Sequence, residues 1–187
     1  MTKARLEAFS DGVFAIAVTL LVLEIKVPSA DGGHSLGHGL LELWPSYAGF
    51  TVSFITIGII WVNHHAVFAS VHSVDRALLF KNLLLLLTVS FIPFPTAVMA
   101  EYLGAGSGEN LAAAFYAGSF FVMGVAFRQI WPDAARNWAS RIGPALYLAA
   151  AAVAFLNAYL SLATCAGLAL YYALPQSIES QLSPPAS

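Results

Sequence analysis

RLEAFSDGVFAIAVTLLVLEIKVP, residues 5–28, opens on a polar cluster of Arg5, Ser10 and Asp11 and runs without a linker into apolar side chains. On a helix advancing about 100° per residue, Arg5, Phe9, Gly12, Ile16, Thr19, Leu20, Leu23 and Val27 fall along one stripe. Ser10 and Asp11 leave that stripe on opposite flanks. A carboxylate at the rim of a membrane helix is costly and by default marks a functional position, so the rest of the chain has to supply its partners. Gly12 to Leu23 has the length of a signal-peptide core, but Glu7 and Asp11 put acid where such a leader carries base, and no small-residue cleavage site follows. The stretch is expected to be a retained first transmembrane helix.

Working outward, the composition agrees. Of 187 residues, 59% are hydrophobic and 10% charged, and the mean hydropathy is +0.76. Soluble domains carry about 25% charged residues, so an all-α polytopic membrane protein is expected. The formal charge of −2 leaves no basic excess for a nucleic-acid surface. A single cysteine, Cys165, excludes an intramolecular disulfide and a thiolate metal cluster. No phosphate loop, HExxH motif or Ser/His/Asp order points to an enzyme.

A span needs about 20 largely apolar residues, and six are expected, over residues 9–27, 47–68, 77–99, 111–130, 142–156 and 158–174. Residues 1–175 then form one membrane domain, and the Ser/Pro-rich 176–187 a disordered cytoplasmic tail. Pro28 stops the first span. His34 and His38 lie at i, i+4, a spacing that could hold a metal on a helix, but the surrounding glycines argue for solvated loop histidines. Leu40 to Trp44 reads as a short amphipathic approach, with Trp44 suited to an interface. Pro93 and Pro95 should kink or end the third helix. The apolar run 142–174 is too long for one span, and is divided near Asn157.

With the N-terminus inside, Lys3, Arg5, Arg76, Lys81, Arg128, Arg136 and Arg141 are cytoplasmic and only Lys26 lies outside, a strong positive-inside bias. Both termini are then cytoplasmic. This orientation brings Arg5, Ser10 and Asp11 to the depth of Trp61, Asn63, His64 and His65, and of Lys81, Asn82 and Arg128. Trp61 and His65, at i, i+4, share a helix face. In low dielectric Asp11 must be paired or hydrogen-bonded, and the Trp61 indole N–H and His64 or His65 can donate. No third ligand at metal spacing supports a zinc site. Taken alone, the Ile/Leu stripe of helix one is what ordinary helix packing gives.

The residues also resemble a known family. RxxxFSDG (Arg5, Phe9, Ser10, Asp11, Gly12) followed by FAIAVTLLVLEI is similar to the first helix of the transmembrane protein 175 family of lysosomal potassium channels and their prokaryotic homologues. WVNHHAVF and FIPFPTAVM resemble its later segments, and the last two helices match in hydropathy alone. The resemblance implies a potassium-permeable leak channel of a prokaryotic cell membrane, without the TVGYG filter of ordinary potassium channels. It implies one six-helix repeat per chain, assembled as a homotetramer, with potassium as permeant ion and no cofactor. By the same resemblance helix one lines the pore, and Ser10 and Asp11 are held by hydrogen bonds to Trp61 and His65. Ile16 is then the aliphatic constriction, Leu20 and Leu23 are further apolar layers, and Thr19 is a polar layer. Such a neck can close by dewetting and makes an ion shed water. A competing reading is a proton-coupled transporter or proton pathway through Asp11 and His64/His65, although no inverted repeat is visible.

Overall fold

A computed structural model describes residues 2–29, 35–71, 73–130 and 138–174, with backbone alone over 138–141. All regular structure among these residues is helical. Helix α1 spans Lys3–Leu20 and tightens into a 3-10 turn over Leu21–Glu24. Then come α2 (Leu36–Glu42), α3 (Trp44–Ser70), α4 (Arg76–Phe91), α5 (Pro93–Tyr102), α6 (Glu109–Ile130), α7 (Trp138–Ala154) and α8 (Ala158–Ala173). Among the described residues four stretches are long and apolar enough to cross a membrane: Lys3–Glu24, Trp44–Ser70, Arg76–Tyr102 and Glu109–Ile130. Ile142–Ala154 and Ala158–Ala173 are shorter apolar helices.

Local chemistry explains the boundaries. Asp75 caps α4 by accepting a hydrogen bond from the Leu78 N–H at 2.7 Å, and Asn157 caps α8 by accepting from Leu160 N–H at 2.9 Å. Asn157 therefore divides the long apolar run: a side-chain amide satisfies one of the backbone donors that the first turn leaves open. Asn157→Ala is expected to cost about 1 kcal/mol, read as a lower unfolding temperature in detergent. An unchanged transition would show that the α7–α8 division does not rely on this cap.

The third apolar stretch is broken rather than continuous. Pro93 and Pro95 lack the N–H groups that would bond back to Val89 and Phe91. Ile92 N–H instead reaches Val89 O at 3.2 Å, and the Thr96 hydroxyl donates to Ile92 O at 2.8 Å. Residues 36–39, expected as loop, join the start of the expected amphipathic approach in the helical turn α2, because Ser35 Oγ accepts from His38 N–H at 3.4 Å. His38 lies 3.0 Å from the Glu42 carboxylate across that turn. His34, Arg136 and the tail 176–187 lie outside the described residues, as does the Arg141 side chain.

The core is centred on α6, which packs against α4, α5, α7 and α8. Its inward face carries Ala112, Ala113, Ala117 and Ala126 beside Tyr116, Phe120, Met123 and Ile130, all buried. Small residues let backbones approach closely, which is how helices associate where lipid removes the hydrophobic drive. Ser53 on α3 ties the bundle internally: its hydroxyl lies 2.8 Å from Thr96 Oγ1 and 3.0 Å from the Tyr116 hydroxyl.

The helices alternate in direction. Lys26, after α1, bonds Glu101 at the end of α5 at 2.6 Å. Trp44, opening α3, stacks on Tyr159, in the first turn of α8, with centroids 6.1 Å apart. Asn110, at the start of α6, donates to Phe155 O, after α7, at 3.4 Å. These contacts gather one end of the bundle. At that end the Glu101 carboxylate, by hydrogen bond and charge, holds the Lys26 ammonium above its ordinary pKa of 10.5, so it stays charged at neutral pH.

Candidate functional site

Helix α1 sits at the edge of the bundle, against α3 and α4 and more lightly against α5. One face is fully committed: Leu6, Ser10, Phe14, Ala17 and Leu21 are buried. The stripe Arg5, Phe9, Gly12, Ile16, Thr19, Leu20, Leu23 and Val27 is exposed along its whole length. Ile16 is 62% and Leu23 70% exposed, so neither contributes to the core of a single chain. The Thr19 hydroxyl donates to Ile16 O at 2.9 Å; its oxygen lone pairs remain available on the exposed side.

The polar flank of α1 divides into two contacts. On one side Asp11 Oδ1 accepts from the Trp61 indole N–H at 2.9 Å. Both residues are exposed. On the other side Ser10 is fully buried. Its hydroxyl donates to Leu6 O at 2.8 Å and accepts from Asn82 Nδ2 at 2.9 Å. The Asn82 side-chain oxygen in turn lies 2.8 Å from His64 Nε2. A chain of hydrogen bonds therefore runs Ser10–Asn82–His64 and joins α1, α4 and α3 with no buried side-chain polar atom left without a partner among the described residues. Aromatic rings enclose it: Phe14 meets His64 edge-on at 5.4 Å, and Phe68 stacks on it at 4.3 Å.

The two histidines separate by one helix step of about 100°. His64 turns inward into this network. His65 is exposed, and no hydrogen bond from it is found among the described residues. The partner of Ser10 is thus Asn82, and His64 rather than His65 completes the set. Asp11 bonds neither histidine. Arg5 and Arg128 are exposed, as is Lys81, and none of the three joins the network. Asn82 has one signal in the sequence, a carboxamide directly before the unbroken run Leu83–Leu87, but nothing there says that it bridges two helices.

Trp61→Phe tests the outer contact. It keeps the ring and removes the donor to Asp11, and a hydrogen bond to a charged but exposed group is expected to contribute about 0.5–1.5 kcal/mol here. The unfolding temperature should fall modestly, and Trp61→Phe combined with Asp11→Asn should cost little more than either alone. Additive costs would show that the two side chains act separately.

The arrangement is built from hydrogen bonds between helices. No group of three or more His, Cys, Asp or Glu side chains converges among the described residues. What it does is fix the rotation of α1 against α3 and α4 from two sides, so that the Ile16–Leu23 stripe faces away from its own chain.

Comparison with known proteins supplies the relatives. The family profile described as Endosomal/lysosomal potassium channel TMEM175 matches residues 5–93. A potassium channel of Streptomyces collinus is 49% identical, over 93% of this chain and 93% of that protein. The crystal structure of a lysosomal potassium-selective channel TMEM175 homolog from Chamaesiphon minutus superimposes with a TM-score of 0.86 at 46% identity, over 91% of this chain and 96% of that one. The endosomal/lysosomal proton channel TMEM175 of Gallus gallus is 29% identical over 92% of this chain and 36% of that protein. These relatives are ion channels, not enzymes, and their likeness extends well past the matched profile, across nearly the whole chain. With its fold and sequence both shared at this level, the chain belongs to the TMEM175 family.

Proposed function

We propose that this protein is a potassium-permeable, leak-type channel of the cell membrane, assembled as a homotetramer in which four copies of α1 ring the pore. The observation that carries this reading is the exposed stripe of α1. A helix anchored by a buried polar network on one face, with Phe9, Ile16, Leu20 and Leu23 exposed on the other, suits a surface completed by other copies of itself. The names of its relatives as potassium channels support the same reading.

In this assembly Ile16 forms the narrowest ring, Leu20 and Leu23 form further apolar layers, and Thr19 adds a ring of hydroxyl oxygens. Potassium permeates without a cofactor. An apolar neck excludes ions by dewetting and passes those that shed water at least cost, so potassium is favoured over sodium. Ser10 and Asp11, held through Asn82, His64 and Trp61, form a clasp that keeps the ring aligned, and Arg5 and Phe9 lie at its entrance. The membrane is crossed six times, by α1 with its 3-10 turn, α3, α4 with α5, α6, α7 and α8. The basic ends of α1, α4 and α6 face the cytoplasm, in keeping with the positive-inside rule.

The competing proton pathway would need Asp11 and His64 or His65 in one relay. Asp11 bonds Trp61 and His64 bonds Asn82, and no hydrogen bond from His65 is found among the described residues, which favours the channel. The test is the reversal potential of purified protein in liposomes under opposed potassium and sodium gradients. A reversal displaced toward the potassium potential is expected; absence of current under any gradient would overturn the proposal.

A further inference from the structure

Outside the α1 site, an apolar groove of about 660 Å³ lies between α4 and α6. Leu87, Phe91, Phe115, Gly118 and Val122 line it, and Leu87, Phe91, Phe115 and Val122 are 38–67% exposed, so it opens outward along its length. Its two hydroxyls are turned to their own backbones: Thr88 donates to Leu85 O at 2.7 Å and Ser119 to Tyr116 O at 2.6 Å. The lining is therefore apolar in effect, although it includes polar residues.

Positive charge gathers at one end of the groove. α4 starts where α6 finishes; Lys81 on α4 and Arg128 on α6 both lie at that end, and Arg76, the first residue of α4, is set over the Phe80 ring. Lys81 lies seven residues before Thr88, and Arg128 seven residues after Phe121. Seven residues are close to two full turns, so each cation shares a face with a groove residue about 10 Å along the axis. Both are exposed, and no ion pair of either is found among the described residues. The nearest acid on α4, Asp75, is occupied as the helix cap, and the only acid on α6, Glu109, is at the opposite end.

An apolar channel at mid-span, closed at one rim by two cations on adjacent helices, matches one kind of molecule. We infer that the α4–α6 groove is a binding site for an anionic phospholipid, with an acyl chain along Leu87, Phe91 and Gly118 and the phosphate between Lys81 and Arg128. Basic pockets between transmembrane helices recognise acidic head groups in this way, and the alkyl stems of both cations can run along the apolar wall to reach the phosphate level. This site is separate from the α1 clasp, and its occupancy is measured without conduction.

The test uses the full-length protein in detergent, with phosphatidylglycerol or phosphatidylcholine of identical acyl chains added, read by native mass spectrometry and by thermal unfolding. Phosphatidylglycerol should be retained preferentially, by up to roughly 25-fold at about fivefold per basic side chain. Lys81→Gln with Arg128→Gln should erase that preference. A side chain added at Gly118 meets nothing within 4 Å, so Gly118→Leu should enter the groove without a clash and lower retention of both lipids. Equal retention of the two lipids by the unmodified protein, or a preference that survives the double substitution, would overturn the inference. So would equal stabilisation by glycerol 3-phosphate, which carries the charge without the chain. A change of oligomeric state in Gly118→Leu would likewise count against it, by showing that another copy of the chain covers the groove.

Discussion

Ile16→Asn is expected to abolish most of the preference for potassium over sodium while increasing the current. Ile16 sits on the exposed face of α1, two turns beyond Phe9, and makes no contribution to the buried core. The substitution therefore leaves the protomer's packing intact, and its effect is confined to whatever the stripe faces. In a fourfold ring, four branched alkyl groups would be replaced by four carboxamides. The neck would wet, and its amide oxygens would substitute for part of the water that an ion otherwise loses. Sodium, which holds its water more tightly, gains most from this change. The permeability ratio should fall several-fold towards unity, measured from reversal potentials under opposed gradients. An unchanged ratio would move the constriction to Leu20 or Leu23, which the same exchange can test in turn.

The second large effect is on assembly and stability. Asn82→Ala is expected to cost about 2–4 kcal/mol. Two hydrogen bonds between helices are lost, and in membrane proteins each averages about 0.6 kcal/mol. The larger part comes from the group left behind. The Ser10 hydroxyl keeps its bond to Leu6 O, whereas the buried His64 Nε2 is left without its partner, and an orphaned group costs about 1–3 kcal/mol. The neighbouring Lys81→Ala, on the exposed side of the same helix, should stay within about 0.5 kcal/mol of wild type. Unfolding in detergent, followed at fixed protein and detergent concentration, separates the two. Equal transitions for both variants would show that the Ser10–Asn82–His64 chain does not hold α1 in place. In conductance, Asn82→Ala should also lower the open current, since α1 loses its fixed rotation.

The sequence was most legible where chemistry is local. Helix ends follow from Asp75, Asn157 and the proline pair, and the depth of Asp11 follows from counting spans and charges, which placed Trp61 opposite it. Rotation was harder to read. In a soluble helix the buried face announces itself by hydrophobic periodicity, but in a lipid-facing bundle both faces are apolar and that contrast vanishes. His64 and His65 look equivalent for this reason, and the i, i+4 spacing of Trp61 and His65 drew attention to the exposed edge of α3 rather than to the face that carries Ile57, His64 and Phe68. The Ser53–Thr96–Tyr116 cluster was invisible for a related reason: its members lie on three helices, and nothing in their spacing along the chain brings them together. The α2 turn is hidden in the sequence because Gly37 and Gly39 argue against a helix more strongly than the capping Ser35 argues for one.

Cysteine accessibility in conducting protein tests the central claim most directly, that the exposed stripe of α1 faces a pore shared by several copies of the chain. Cys165 is buried and leaves the background quiet. Ile16→Cys and Leu23→Cys, on the stripe, should each lose current when a charged thiol reagent is added and form disulfide-linked dimers on oxidation. Val22→Cys, 52% exposed but off the stripe, should do neither. If current through Ile16→Cys is untouched by the reagent and no linked dimer forms, α1 does not line the pore.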